Sequence, residues 1–184
     1  MALVVMLGCS PQVEEESSKE SSRIHNEKAI DHYLHNLIKS PERRFTGFTE
    51  SARWGRIDLV KEFLAQGVGV DATDEYGRTA LILAASGGQL DVMQLLIEEG
   101  ADVNFQEPES RTTPLLALLR SLHSESTYYS GVQLLIDSGA VTTLQDSDGW
   151  TAVDWAKSRI REGRVDQDFL QEFEPQSEPS GNDS

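Results

Sequence analysis

Apolar side chains return every three or four residues along most of this chain, the period of a helix with one buried face. Ile30, Tyr33, Leu34, Leu37 and Ile38 mark a first helix over about residues 27–39. Ser40-Pro41 stops it and can start the next, with Ser40 as N-cap and Pro41 at the first helical position. Phe45, Phe48 and Ala52 predict the buried stripe of one helix, and Leu59, Val60, Phe63 and Leu64 that of its successor. Ala84-Ala85 followed by Val92, Leu95, Leu96 and Ile97 predict a second helix pair. Leu115 and Ala117 followed by Val132, Leu134, Leu135 and Ile136 predict a third. Val165, Phe169, Leu170 and Phe173 mark a last helix near the C-terminus. Residues 10–22 and 174–184 are polar and nearly free of apolar side chains, which is too little to offset chain entropy, so they are expected to be disordered.

The helix pairs are copies of one another. Ala52, Gly55, Asp58, Leu59, Val60 and Gly67 recur as Ala85, Gly88, Asp91, Val92, Met93 and Gly100, at a constant offset of about 33 residues. Asp74-Glu-Tyr-Gly77-Arg-Thr79-Ala-Leu81 is echoed two repeats later by Asp146-Ser-Asp-Gly149-Trp-Thr151-Ala-Val153. Between them stands Thr112-Thr113-Pro114-Leu115-Leu-Ala117. This period and these letters resemble the ankyrin repeat family over about residues 45–173. The resemblance implies an all-α fold, a solenoid of about four helix-turn-helix units joined by β-turns. The helix near residues 27–44 would cap its N-terminal end, since an array needs an element to cover its last apolar face.

Each recurring letter has a structural task. Gly77 and Gly149 fall where the turn benefits from glycine's freedom. Thr79, Thr113 and Thr151 can cap the inner helices, and Pro114 suits the first position of its helix. The Ala84-Ala85 pair keeps an inner helix thin; Leu95, Leu96, Leu134 and Leu135 fill the layers between repeats; Gly100 and Gly139 end the outer helices in a left-handed cap. Three departures stand out. Glu42-Arg-Arg-Phe45 replaces the usual opening turn of the first repeat. Thr113 follows Thr79 by about one period, but Leu134 follows Leu95 by five residues more, so an insertion falls between the helices of the third repeat, near Ser121–Ser130. The family commonly carries His at the fourth position of its Thr-Pro-Leu-His motif, where it ties successive loops; here Ile82, Leu116 and Asp154 stand instead.

Charge narrows the partners. The net charge of −15 offers no basic stripe for phosphates and would be repelled by anionic lipid, so nucleic acid is excluded and a basic protein is the natural complement. Residues 62–110 hold ten acidic residues and one basic residue, Arg78. This acidic field is expected to face the concave side. Cys9 is the one cysteine, so no internal disulfide forms. Met1-Ala-Leu-Val-Val-Met-Leu-Gly8-Cys9-Ser10 resembles the end of a bacterial lipoprotein signal peptide, although no Lys or Arg precedes its short apolar run. That resemblance implies a true start upstream of Met1 and lipid on Cys9. It also implies a periplasm-facing location at the envelope, the outer membrane rather than the inner; without lipidation the protein would be cytoplasmic. The chain then divides into a signal remnant (1–8), an acidic tether (9–26), a capping helix (27–44), the repeats (45–173) and a tail (174–184).

Candidate chemistry is sparse. There is no nucleophile elbow, no phosphate loop and no zinc spacing, so no catalytic residue, metal or cofactor is expected. His32 and His35 stand at i, i+3 but read as surface histidines. In ankyrin arrays the turn tips and the exposed side of the inner helices hold the partner. Carried over, the tips are Tyr76 and Arg78, then Glu107, Glu109 and Arg111, then Asp148 and Trp150; the inner-helix contacts are Ile82, Leu83 and Ser86, with Leu116 and Arg120 beyond. Trp54 and Trp155 read as packing residues. The expected protein is a non-catalytic binding module, monomeric when free. Two specific roles fit: an immunity or inhibitor protein that neutralises a secreted toxic enzyme, or a scaffold or chaperone for a periplasmic enzyme.

Overall fold

Residues with helical spacing form helices, and the helices stack as alternating inner and outer elements. The computed structural model describes residues 28–34, 36–37 and 43–173. A first helix, α1, occupies residues 28–34 and continues at 36–37. Then come α2 (Arg44–Arg53), α3 (Ile57–Ala65), α4 (Ala80–Gly87), α5 (Leu90–Glu98), α6 (Pro114–Arg120), α7 (Glu125–Asp137) and α8 (Ala152–Arg161). A 3-10 helix, Gln167–Phe173, closes the array. No strand occurs among the described residues; a single antiparallel bridge joins Thr73 to Thr79. This is the expected all-α solenoid. Cys9, His35, Ile38, Ser40, Pro41, Glu42 and the segments 1–26 and 174–184 lie outside the described residues.

The inner helices α2, α4, α6 and α8 pack on one another in chain order. Each of α4, α6 and α8 begins at a threonine whose hydroxyl accepts the N–H of the third helical residue: Thr79 from Ile82, Thr113 from Leu116 and Thr151 from Asp154. In α8, Asp154 answers back to the Thr151 N–H, completing a capping box. The middle of the stack is apolar all round, with Ala80–Ala85 and Pro114–Leu119 all buried. Gly87 of α4 meets the end of α2 at close range. A Cβ there would lie 2.3 Å from the Arg53 carbonyl oxygen, so only glycine fits.

The outer layer is thinner than its leucine pairs suggest. Leu96 and Leu135 are fully buried, whereas Leu95 and Leu134 are only partly covered. Phe45 is half exposed rather than part of the inner stripe, and Trp54, expected to pack, is 46% exposed. The extra residues of the third repeat go mostly into helix: α7 has 13 residues against nine in α5, capped by the Ser124 hydroxyl, and the connection before it has four residues, 121–124, against two, 88–89. Tyr128 is buried there, donating its hydroxyl to the Ser121 carbonyl and packing against His123 and Phe169. The last helix is a 3-10 element rather than an α-helix. Phe169 and Val165 are buried, and Leu170 and Phe173 pack against the core.

Loop ties missing from the motif positions are made by other side chains. The Asn104 amide donates to the Gly139 carbonyl while its oxygen accepts from Val141 N–H, both across repeats. Asp71 accepts from Asp102 N–H, and the Gln106 amide reaches the Gln145 carbonyl.

These burials set the stability scale. Leu96→Ala should cost about 2–5 kcal/mol in urea unfolding, and Leu95→Ala clearly less. Equal losses for the two would contradict the assigned outer face. Gly87→Ala should cost about 1–3 kcal/mol by forcing α4 away from α2.

Candidate partner-binding groove

Three turn tips project from the starts of the inner helices, and each is closed by a carboxylate at its first position. Asp74 Oδ1 accepts from the N–H groups of Tyr76 and Arg78, and its Oδ2 takes two bonds from the Arg78 guanidinium, at 2.9 and 2.7 Å. Asp146 Oδ1 accepts from Asp148 and Trp150 N–H, and its Oδ2 accepts the Trp155 indole N–H at 2.9 Å. Glu107 plays the same part in the middle tip, accepting from Glu109 N–H, Ser110 N–H and the Ser110 hydroxyl. That tip is one residue longer. Glu107 N–H reaches Thr112 O, where Asp74 N–H reaches Arg78 O, and Arg111 takes a positive φ of 54° beside the turn closure. Gly77, at φ 74°, serves the first tip, where a Cβ would also meet the Pro108 ring at 2.6 Å.

Burial by itself would raise the pKa of Glu107, but the bonds from Ser110 and Glu109 and the charge of Arg78 outweigh it and hold the acid below its ordinary 4.5. Asp146 behaves alike. Burial opposes ionisation, while the Trp155 indole, the N–H groups of Trp150 and Asp148 and the charge of Arg120 hold it below 3.8. Glu107 is therefore a structural group, 6% exposed, and not the free steering charge expected at a tip.

Behind the tips lies an open groove of about 240 Å³, formed by successive inner helices. Of the residues expected at the site, Arg78, Ile82, Leu83, Ser86 and Glu107 line it together, joined by Arg120. Ile82 and Leu83 form its floor, being 3% exposed each, and Leu116 is buried in the core instead of facing a partner. Tyr76, Glu109, Arg111, Asp148 and Trp150 are exposed at the tips, outside the groove. Tyr76 lies under the Arg78 guanidinium, 4.8 Å from ring to charge, and Trp150 leans on Trp155 at 4.9 Å.

Arg53, Ser110, Thr112, Ala117 and Ser121 also line the groove and fall outside the expected set. The repeat period carries a signal for Arg53, because it stands one period before Ser86 just as Ala52 stands before Ala85. Arg120 follows Ser86 by the same offset that separates Thr113 from Thr79. Arg53, Ser86 and Arg120 thus form one row across three repeats.

The acidic field does not face this groove. Glu62, Asp91, Glu98 and Glu99 lie exposed on or just after the outer helices, and Asp74 and Glu107 are bound within their tips. Of the other four, Glu75 and Glu109 are exposed at the tips, while Asp102 is exposed and Asp71 partly buried in the loops between repeats. No group of three or more potential metal ligands occurs among the described residues, and no described helix is long and apolar enough to cross a membrane.

A repeat solenoid with a groove across its inner helices is the architecture of a binding module. The family described as ankyrin repeats (3 copies) matches residues 24–107 and again residues 48–146, and the chain belongs to it. The chain is 32% identical over 107 residues to an ankyrin repeat, SAM and basic leucine zipper domain-containing protein of Carollia perspicillata. It is 33% identical over 117 residues to an ankyrin repeat and SAM domain-containing protein of Rattus norvegicus. The matched segments are 58% and 61% of this chain but only 22% and 12% of those relatives.

Glu107→Gln tests the tip assignment. Its folded pKa lies below the unfolded value, so its stabilisation is present above about pH 4.5 and is lost as pH falls through the folded pKa. The variant should lose about 1 kcal/mol at pH 7. Its unfolding midpoint should also fall less steeply between pH 5 and 3 than the wild type, the window about the ordinary 4.5. Parallel pH profiles would show Glu107 to be unbonded in solution.

Proposed function

We propose that this protein binds a folded protein partner through the concave side of its repeats and performs no chemistry itself. The observation that carries the reading is the groove behind the tips, with Tyr76 and Trp150 exposed on the tips themselves. Aromatic and arginine side chains are the types enriched at binding hot spots, and both stand here at the turn tips or in the groove. The acidic outer layer and the net charge of −15 favour a basic protein in the encounter, which speeds association and then fades within about 8–10 Å at physiological salt.

The second part of the proposal is a tether. Leu7-Gly8-Cys9 and the polar stretch that follows support lipid on Cys9, holding the repeats at the periplasmic side of a bacterial envelope. The partition into tether, capping helix, repeats and tail belongs to the same reading. A tethered binder that blocks a toxic enzyme or scaffolds a periplasmic one would need nothing more than the groove and the anchor.

Both parts are open to test. Cys9→Ala, expressed in its full natural reading frame, should move the protein from the membrane fraction to the soluble one. If wild type and variant are both soluble, the tether is wrong. Once a partner is captured from the native cells, Tyr76→Ala should speed its dissociation and cost on the order of 2 kcal/mol, while Gln94→Ala on the outer helix should change nothing. Loss of the partner with Gln94→Ala alone would place the interface on the outer layer.

A further inference from the structure

On a chain this acidic, the concave groove is lined by three arginines and a single carboxylate. That carboxylate, Glu107, already accepts from two backbone N–H groups and a hydroxyl. The three guanidiniums differ in their freedom. Arg78 is committed to Asp74 through two bonds to one oxygen, with Glu50 a further 3.9 Å contact. Among the described residues Arg53 pairs only with Glu50, at 3.8 Å, with its side chain 44% exposed. Arg120 has no ion pair among the described residues. One of its N–H groups donates to the Thr112 hydroxyl at 2.8 Å, and its guanidinium lies 5.5 Å over the Trp155 ring. Trp155 is in turn fixed by its indole bond to Asp146, whose two oxygens are both occupied. Arg120 is therefore held in place with most of its five donors unused.

We propose that this groove takes a carboxylate from an extended acidic segment of the partner, clasped between Arg120 and Arg53 over Ser86. The proposal rests on the concave face being the binding face, and it names what that face selects. Neighbouring inner helices pack at spacings of roughly 8–10 Å, so the row Arg53, Ser86, Arg120 runs across three repeats, the direction an extended chain would follow. The Ser86 and Ser121 hydroxyls, 3.2 Å apart, line the groove between the two charges; Ser121 donates to the Ala117 carbonyl and Ser86 to Ser121, so the guanidiniums supply the donors for a ligand. A volume of about 240 Å³ is below the usual 300–1,000 Å³ of a small-molecule pocket and suits a side chain or two. A lysine entering here would meet three guanidiniums, with the Glu107 carboxylate bonded within its own tip and Glu50 already facing Arg53 and Arg78. Guanidinium–carboxylate pairing is bidentate and directional, and holding Arg120 in advance lowers the cost of ordering it. The overall negative field does not forbid this, because at about 0.15 M salt it is screened within a Debye length while contacts in the groove are not. That field disfavours a doubly charged phosphate more than a single carboxylate.

The test uses the full chain and a blocked peptide, acetylated and amidated, with three glutamates between glycines and a neutral fluorophore. Its counterpart carries glutamines. By anisotropy at about 0.15 M salt, the glutamate peptide should bind about tenfold more tightly than the glutamine peptide, and Arg120→Gln or Arg53→Gln should each remove most of that difference. Arg164→Gln, exposed and outside the groove, should not. Thermal unfolding of each variant shows that the fold is kept, and Arg53→Gln stands in if Arg120→Gln loosens the Trp155 stack. Equal affinity for the two peptides overturns the proposal. So does indifference to both arginine changes, or binding only of a glutamine peptide with a free C-terminal carboxylate. If the glutamate peptide fails while Tyr76→Ala still weakens the captured partner, the carboxylate proposal falls and the concave interface stands. If both fail, the interface itself is misplaced.

Discussion

The close approach of the inner helices is the constraint from which the rest follows. At Gly87 the end of α4 touches the Arg53 carbonyl of α2, and no side chain can stand between them. This contact needs a thin helix, supplied by Ala84 and Ala85, and a helix buried on every side, supplied by the run Ala80–Ala85. With the inner helices in contact and the outer helices splayed behind them, equivalent positions of successive repeats line up across one face. Arg53, Ser86 and Arg120 are such positions, and the groove is the consequence of their alignment.

The tips depend on a second, electrostatic arrangement. Each uses one carboxylate to gather the N–H groups of its own turn, and Asp74 and Asp146 also fix a side chain that matters to the groove. Asp74 anchors Arg78, and Asp146 anchors Trp155, on which Arg120 rests. Acidic residues that look in the sequence like an attractive surface are in part the internal scaffolding of an arginine-lined groove. Glu62, Asp91, Glu98 and Glu99 sit on or just after the outer helices, so one molecule carries a negative field for approach and guanidiniums for contact.

How much of this is legible in the sequence follows from the kind of signal each residue carries. The repeat period, the threonine caps and the positive-φ glycines are local rules, and Thr79, Thr113, Thr151, Gly100 and Gly139 obey them in the structure. Burial on a particular face is not local. Leu95 and Leu96 are adjacent and chemically alike, and only the packing of the next repeat decides that Leu96 is covered. Glu107 reads in the sequence as a surface charge because its hydrogen bonds are with its own turn, which charge patterning cannot see. The repeat offsets place the five-residue insertion between the helices, but they do not reveal that most of it extends α7 or that Tyr128 is a buried anchor there. Arg53 lies within reach of sequence reasoning, since the repeat period maps it onto Ser86; finding it takes a comparison of equivalent positions across repeats, not further physics.

The central claim is that the concave groove, and not the acidic outer layer, meets the partner. Photo-crosslinking in the native cells tests it most directly, with a benzophenone side chain placed at Tyr76 on the first turn tip or at Gln94 on the outer helix α5. A partner adduct from position 76 and none from position 94 is the expected result. An adduct from position 94 alone would show that the outer layer is the interface and that the groove is only the seam between repeats.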